Sequence, residues 1–180
     1  KLKSKKEITG DLIITGLTSS DLSFLNKIEK IGGDIKISLL DNITDVSFLS
    51  GLTQFSGNIS ITGNKNLKSL NGLNNLNKVK SVVLSKNHLS ISLDAIKEIE
   101  ITELLSIEGT SAAEFAILTN VKSLSKGVSL KSNAISDLRF LPNIAHIGMD
   151  IEIRNCNNLK TLKGLENITS ATGVYIYSNP

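Results

Sequence analysis

Apolar pairs of the form I-x-I recur along this chain about every 23 residues, and that interval limits the folds open to it more than any other property. The pairs are Leu12/Ile14, Ile35/Ile37, Ile59/Ile61, Val82/Leu84, Leu105/Ile107, Val128/Leu130, Ile151/Ile153 and Val174/Ile176. Each first member follows the previous one by 23 residues, with a single step of 24 between Ile35 and Ile59. A repeat of this length cannot bury its apolar side alone and does so by stacking on its neighbours, which is how a solenoid is built. The alternation has period two, as a strand with one buried face requires. No tight hairpin separates successive copies, so they pair in parallel, and the crossover is expected to be right-handed.

The fold expected is therefore mainly β. It is a right-handed parallel β-solenoid of about eight coils of 23 residues, one repeat domain over residues 1–180. Neither end carries a recognisable polar cap, so the domain is expected to be a segment of a longer array.

Between strands the apolar residues are spaced by three, as at Leu67, Leu70, Leu73, Leu76 and Val79. On an α-helix five such positions would drift through about 240° and leave any single face, so short 3₁₀ or bent extended segments are expected instead. Ser111-Ala112-Ala113-Glu114 is an exception. Its S-x-x-E form is that of a capping box, and it predicts a short α-helix near residues 112–120. Asp94 to Ile101 is expected to hold a further helical turn.

Three residues after the second apolar member stand Asn64, Asn87, Thr110, Asn133, Cys156 and Asn179. A polar side chain turned into the coil there can bond backbone groups that leave the strand ladder at the bend. These six residues are expected to form a structural ladder. Leu17 and Leu40 fill the slot in the first two coils, where looser turns are expected. Two further sets repeat. Leu67 to Leu73 matches Leu159 to Leu165, 92 residues on, and Asp21-Leu22-Ser23-Phe24-Leu25 recurs at Asp45 and Asp137.

The stretch Val79-x-x-Val82-x-Leu84-x-x-Asn87-x-Leu89 resembles the core of a leucine-rich repeat. Ile8 to Ile14, Asp21 to Leu25, Ile31 to Ile35 and Gly173 to Pro180 resemble the receptor L domain, the β-solenoid of the ligand-binding lobes of growth-factor and insulin receptors. The likeness covers nearly the whole chain and implies a non-enzymatic binding module. The cysteines that staple the animal domains are absent, which points to a microbial cell-surface protein.

Composition supports a binding or spacing role over catalysis. The net charge is +3, four positive charges come from Lys1, Lys3, Lys5 and Lys6, and the remainder carries −1. No basic face for nucleic acid is implied. No apolar run approaches the roughly 20 residues of a membrane span, so no membrane insertion is expected of this segment. Cys156 is the only cysteine, which rules out an internal disulfide and a Cys-based zinc site. His88 and His146 fall in different slots of distant coils, and no catalytic, metal or cofactor motif appears. Asn-x-Ser/Thr matches at Asn42, Asn58 and Asn167 arise readily by chance in so Asn-rich a chain.

The outward strand positions form one continuous surface. Between the inward pairs lie Ile13, Lys36, Ser60, Val83, Ser106, Ser129, Glu152 and Tyr175, and just after them Thr15, Ser38, Thr62, Ser85, Glu108, Lys131, Arg154 and Tyr177. At about 4.8 Å per strand this face is about 34 Å long. Its carboxy-terminal half, with Glu108, Lys131, Glu152, Arg154, Tyr175 and Tyr177, is the expected ligand-binding site for a protein or glycan, in an adhesion or receptor-like role. The competing expectation is a structural spacer with no ligand of its own. A third, a carbohydrate-active enzyme, would need a paired-carboxylate cleft, for which Glu108 and Glu152, about 9.6 Å apart by strand spacing, are the only candidates.

Overall fold

The structure is a computed structural model that describes residues 6–17, 21–111 and 115–180. Eight strands, labelled here in chain order, form one parallel sheet: β1 Leu12–Thr15, β2 Ile35–Ser38, β3 Asn58–Thr62, β4 Lys78–Ser85, β5 Glu100–Glu108, β6 Gly127–Lys131, β7 Asp150–Arg154 and β8 Gly173–Tyr177. Their spatial order is their sequence order. Seven crossovers thus wind the chain into a β-solenoid. The predicted register holds at every junction: Leu12 pairs with Ile35, then Ile59, Val82, Leu105, Val128, Ile151 and Val174 follow in one column.

The inward pairs from Leu12/Ile14 to Ile151/Ile153 are all buried and belong to a single apolar core. The residues spaced by three in the return segments fill its other side. Leu67, Leu70, Leu73, Leu76 and Val79 are buried, and amides such as Leu73 and Leu76 turn back onto carbonyls three residues earlier. Short 3₁₀ turns occur at Ser23–Lys27, Ser47–Leu49 and Asp94–Ile96. A second, interrupted ladder runs along the return side, pairing Glu7–Ile8 with Lys30–Ile31 and Ser123–Leu124 with His146–Ile147. β4 and β5 are long enough to join both ladders, with a register shift between Val79 and Ser81 that absorbs one extra residue of β5.

The helix expected near 112–120 is not found where the chain is described. Residues 112–114 lie outside the described residues, Phe115–Leu118 has no regular structure, and Thr119–Asn120 is a turn. The Leu118 amide donates to the Phe140 carbonyl of the next coil at 2.8 Å, so it is spent across coils and not within a helix. Phe115, Leu118 and Val121 keep the three-residue spacing of the other coils and are buried, and the Phe115 ring packs edge-on against Phe140 with centroids 5.0 Å apart. Tertiary stacking overrides the local capping signal.

The polar ladder is bidentate. Each of its asparagines reaches back one coil. Asn64 accepts from the Leu40 amide at 3.0 Å and donates to the Ile37 carbonyl at 3.2 Å. Asn87 does the same with the Asn64 amide and Ile61, Asn133 with Thr110 and Ile107, and Asn179 with Cys156 and Ile153. Leu40 is therefore no loose point: it is fully buried, with its amide held by Asn64. Leu17, in contrast, is exposed. At Cys156 the thiol takes the asparagine's place, 3.5 Å from the Arg154 carbonyl. Burial pushes this thiol's pKa up, and the Asn133 amide only partly opposes the rise.

Immediately before the ladder the backbone turns left-handed in every coil, at Gly16, Leu39, Gly63, Lys86, Gly109, Ser132, Asn155 and Ser178. The repeated Asp of the Asp21, Asp45 and Asp137 motifs accepts the amide two residues on, a turn that Ser69, Ser92 and Thr161 make with their hydroxyls in other coils. In the Leu67 and Leu159 motifs the glycine is required. Gly72 and Gly164 lie at φ +114° and +110°, and a β-carbon there would strike the carbonyl oxygens of Val46 and Leu138.

Candidate binding face

The two outward columns predicted from sequence are present in full. Ile13, Lys36, Ser60, Val83, Ser106, Ser129, Glu152 and Tyr175 stand in one register line, and Thr15, Ser38, Thr62, Ser85, Glu108, Lys131, Arg154 and Tyr177 in the other. In the first four strands side-chain bonding along these columns is sparse, as between Ser38 and Thr15 at 3.0 Å. A groove of about 200 Å³ lies at this end, lined by Asp11, Ile13, Asp34, Lys36, Asn58 and Ser60. The Asp34 carboxylate there is held below its usual pKa by the Asn58 backbone amide and side chain.

The carboxy-terminal half is organised around one carboxylate. Glu152 Oε2 lies 2.8 Å from Lys131 Nζ and accepts from Ser129 Oγ at 3.2 Å. Its Oε1 accepts from the Tyr177 hydroxyl at 3.0 Å and lies 3.2 Å from Arg154 Nε. The Arg154 N–H is not aligned for a hydrogen bond, although its Nε is fully buried. The Lys131 hydrogen bond, with help from Tyr177 and Ser129, keeps the Glu152 carboxyl ionised below its usual pKa despite partial burial. Lys131, Glu152, Arg154 and Tyr177 are thus brought together. Tyr175 and Glu108 are on the same face but outside this cluster. Tyr175 packs its ring over Gly173 and is 53% exposed. Glu108 is the register partner of Lys131 yet makes no ion pair among the described residues.

This arrangement does not resemble an inverting glycosidase pair. That chemistry needs one carboxyl kept protonated by a raised pKa, whereas Glu152 is shifted the other way by a bonded lysine. The histidines stay apart, His88 capping the Ser90 amide and His146 beside Thr169 and Ser170. Among the described residues no group of three or more His, Cys, Asp or Glu is placed to hold a metal, and no helix is long and apolar enough to cross a membrane. A larger cavity of about 580 Å³ lies on the opposite, return side, lined by Asn77, Glu98, Glu100, Thr102, Asn120 and Lys122, and it gathers no set of groups beyond ordinary surface polarity.

Sequence reasoning missed a second asparagine ladder. Asn75, Asn143 and Asn167 donate to the carbonyls of Ser50, Thr119 and Pro142, each in the preceding coil, and Asn120 does so to Glu98. Its signal was a spacing of 23 or 24 from Asn120 to Asn143 to Asn167. The ladder commits the side-chain amide of Asn167, one of the Asn-x-Thr matches, and Asn58 is likewise bonded to Asp34.

A continuous parallel sheet, an asparagine ladder at its turn and an outward face that changes character along its length define a solenoid binding module of the leucine-rich-repeat type. A family model for the receptor L domain matches residues 28–111, and the chain belongs to that family. Receptor L domains are non-enzymatic ligand-binding modules of extracellular receptor regions. No curated protein is matched by the sequence.

Proposed function

We propose that this chain is a cell-surface recognition module of a microbial protein, acting in adhesion or as a receptor, and that it binds a protein partner with the carboxy-terminal half of its strand face. One observation carries the proposal. The inward columns keep the same residue types through all eight strands, while the outward columns change from small hydroxylated residues to Glu108, Lys131, Glu152, Arg154, Tyr175 and Tyr177. Folding alone does not require that change, since the first four strands form the same sheet without it. Arginine and tyrosine are favoured anchors of protein interfaces, and a face already fixed by the sheet loses little freedom on binding. The mechanism is shape and polar complementarity on a preformed surface.

A binding screen of the folded chain against surface proteins and glycans tests this. Two variants are compared in it, Arg154→Ala with Tyr177→Ala on the strand face, and Lys78→Ala with Lys97→Ala on the return side. A protein partner lost with the first pair and kept with the second supports the proposal. Binding lost only with the second pair contradicts it, and a screen without any partner favours the spacer.

A further inference from the structure

We infer that Lys131 and Arg154 together seat a carboxylate presented by an acidic, partly apolar segment of a protein partner. This rests on the strand-face function proposed above and names the chemistry of that site. The cross-coil ion pairs of the return side are one-to-one: Lys6 with Glu29, Lys30 with Glu7, Lys78 with Glu100 and Lys126 with Glu103. On the strand face two cations share the single carboxylate of Glu152. Both oxygens of Glu152 are occupied, by Lys131 and Ser129 on one side and by Tyr177 and Arg154 on the other. Glu108 stands on the far side of Lys131 from Arg154 and pairs with neither. The uncompensated positive charge therefore falls at Arg154.

Arg154 is also the cation with bonding capacity to spare. Its Nε is buried against Glu152 without a formed hydrogen bond, about a third of the side chain stays exposed, and among the described residues no acceptor takes its terminal N–H groups. A guanidinium fixed at Nε offers those groups as a planar fork, the geometry that a carboxylate meets with two parallel hydrogen bonds. Glu152 holds both cations in place, so the site is set before a ligand arrives.

The surroundings select the bearer of that carboxylate. Beside the fork the last strand exposes Val174 at 58%, Tyr175 at 53%, Ile176 at 38% and Tyr177 at 47%. In the other seven strands the residues equivalent to Val174 and Ile176 are buried. An extended peptide with alternating acidic and apolar side chains would satisfy the fork and cover this apolar border at once. A saccharide acid, polar on most of its surface, would leave the border wet.

The test is a titration of the isotope-labelled 180-residue chain, followed through the Arg154 Nε–H and the backbone amides of β6–β8. Three probes are used: acetyl-Leu-Glu-Val-Glu-Leu-amide, its counterpart with both Glu replaced by Gln, and a glucuronate-containing tetrasaccharide. The expected result is saturable shifts at Arg154 and Lys131 with the acidic peptide. Affinity should be at least tenfold weaker for the Gln peptide, and at least tenfold weaker again for the acidic peptide on Arg154→Lys, whose other amide signals stay in place. No saturable shift, or a preference for the tetrasaccharide, overturns the inference. Equal binding of the Glu and Gln peptides at β6–β8 also overturns the carboxylate seat but leaves the strand-face function standing. Shifts confined to the return side defeat both.

Discussion

Strands β1–β4 and β5–β8 present the same inner wall and different outer ones. Inside, Ile35/Ile37 and Ile151/Ile153 occupy equivalent, buried positions and are interchangeable in kind. Outside, Ser60 and Thr62 of β3 have become Glu152 and Arg154 in β7. The inner columns and the asparagine ladder are repeated because every coil must close on the next. The outer columns are free of that demand, so their divergence in the second half records a demand of another kind. The two sides of one strand thus separate what holds the solenoid from what it presents.

The comparison can be broken most forcefully from the inside. Asn87→Ala strands the Asn64 amide and the Ile61 carbonyl in the interior, and should lower stability by about 3 kcal/mol in urea unfolding. A loss under about 0.5 kcal/mol would show that the ladder is incidental. A smaller effect of opposite sign is expected at Cys156, where the thiol interrupts the ladder between Asn133 and Asn179. Cys156→Asn supplies the two missing bonds and should raise stability by about 1 kcal/mol, provided the slot is built as its neighbours are.

On the outer face the effects are smaller. Glu152→Gln should cost no more than about 1 kcal/mol at pH 7, because the network is partly exposed. Its pH dependence has a definite sign. The folded-state pKa of Glu152 lies below the usual 4.5, so its contribution is present above that value and is lost as pH falls through the lower folded-state value. The gap between the wild type and Glu152→Gln should therefore close in acid, as unfolding curves at pH 7 and pH 3 would reveal. Smallest of all, Ser60→Thr and Ser85→Thr in the first half should alter stability by no more than about 0.5 kcal/mol and leave partner binding intact.

Much of this was legible in the sequence, for reasons that particular residues make plain. The I-x-I pairs gave the strands and their register because a period of two with a repeat of 23 allows only one stacking. Asn64, Asn87, Asn133 and Asn179 were recognisable as a ladder because the same polar residue returned to the same slot. The left-handed column was hidden. Gly16, Gly63 and Gly109 announce it, but Leu39, Lys86, Ser132, Asn155 and Ser178 adopt the same backbone without a compositional sign. The expected helix failed beyond Phe115 because a local capping pattern cannot report that Leu118 will bond the next coil. At the binding face the columns could be written down in advance. The choice of Glu152 over Glu108 as partner of Lys131 could not, since both are register neighbours and side-chain conformation decides between them.

The most direct test replaces the second outer wall with the first. A variant carrying Lys131→Ser, Glu152→Ser, Arg154→Thr and Tyr177→Thr gives these positions the hydroxyl character of β3 while leaving every inward residue in place. The prediction is a chain that unfolds within about 1 kcal/mol of the wild type and no longer binds the protein partner identified by the screen. Collapse of the fold, or a partner affinity that does not change, would contradict the separation of scaffold from binding face.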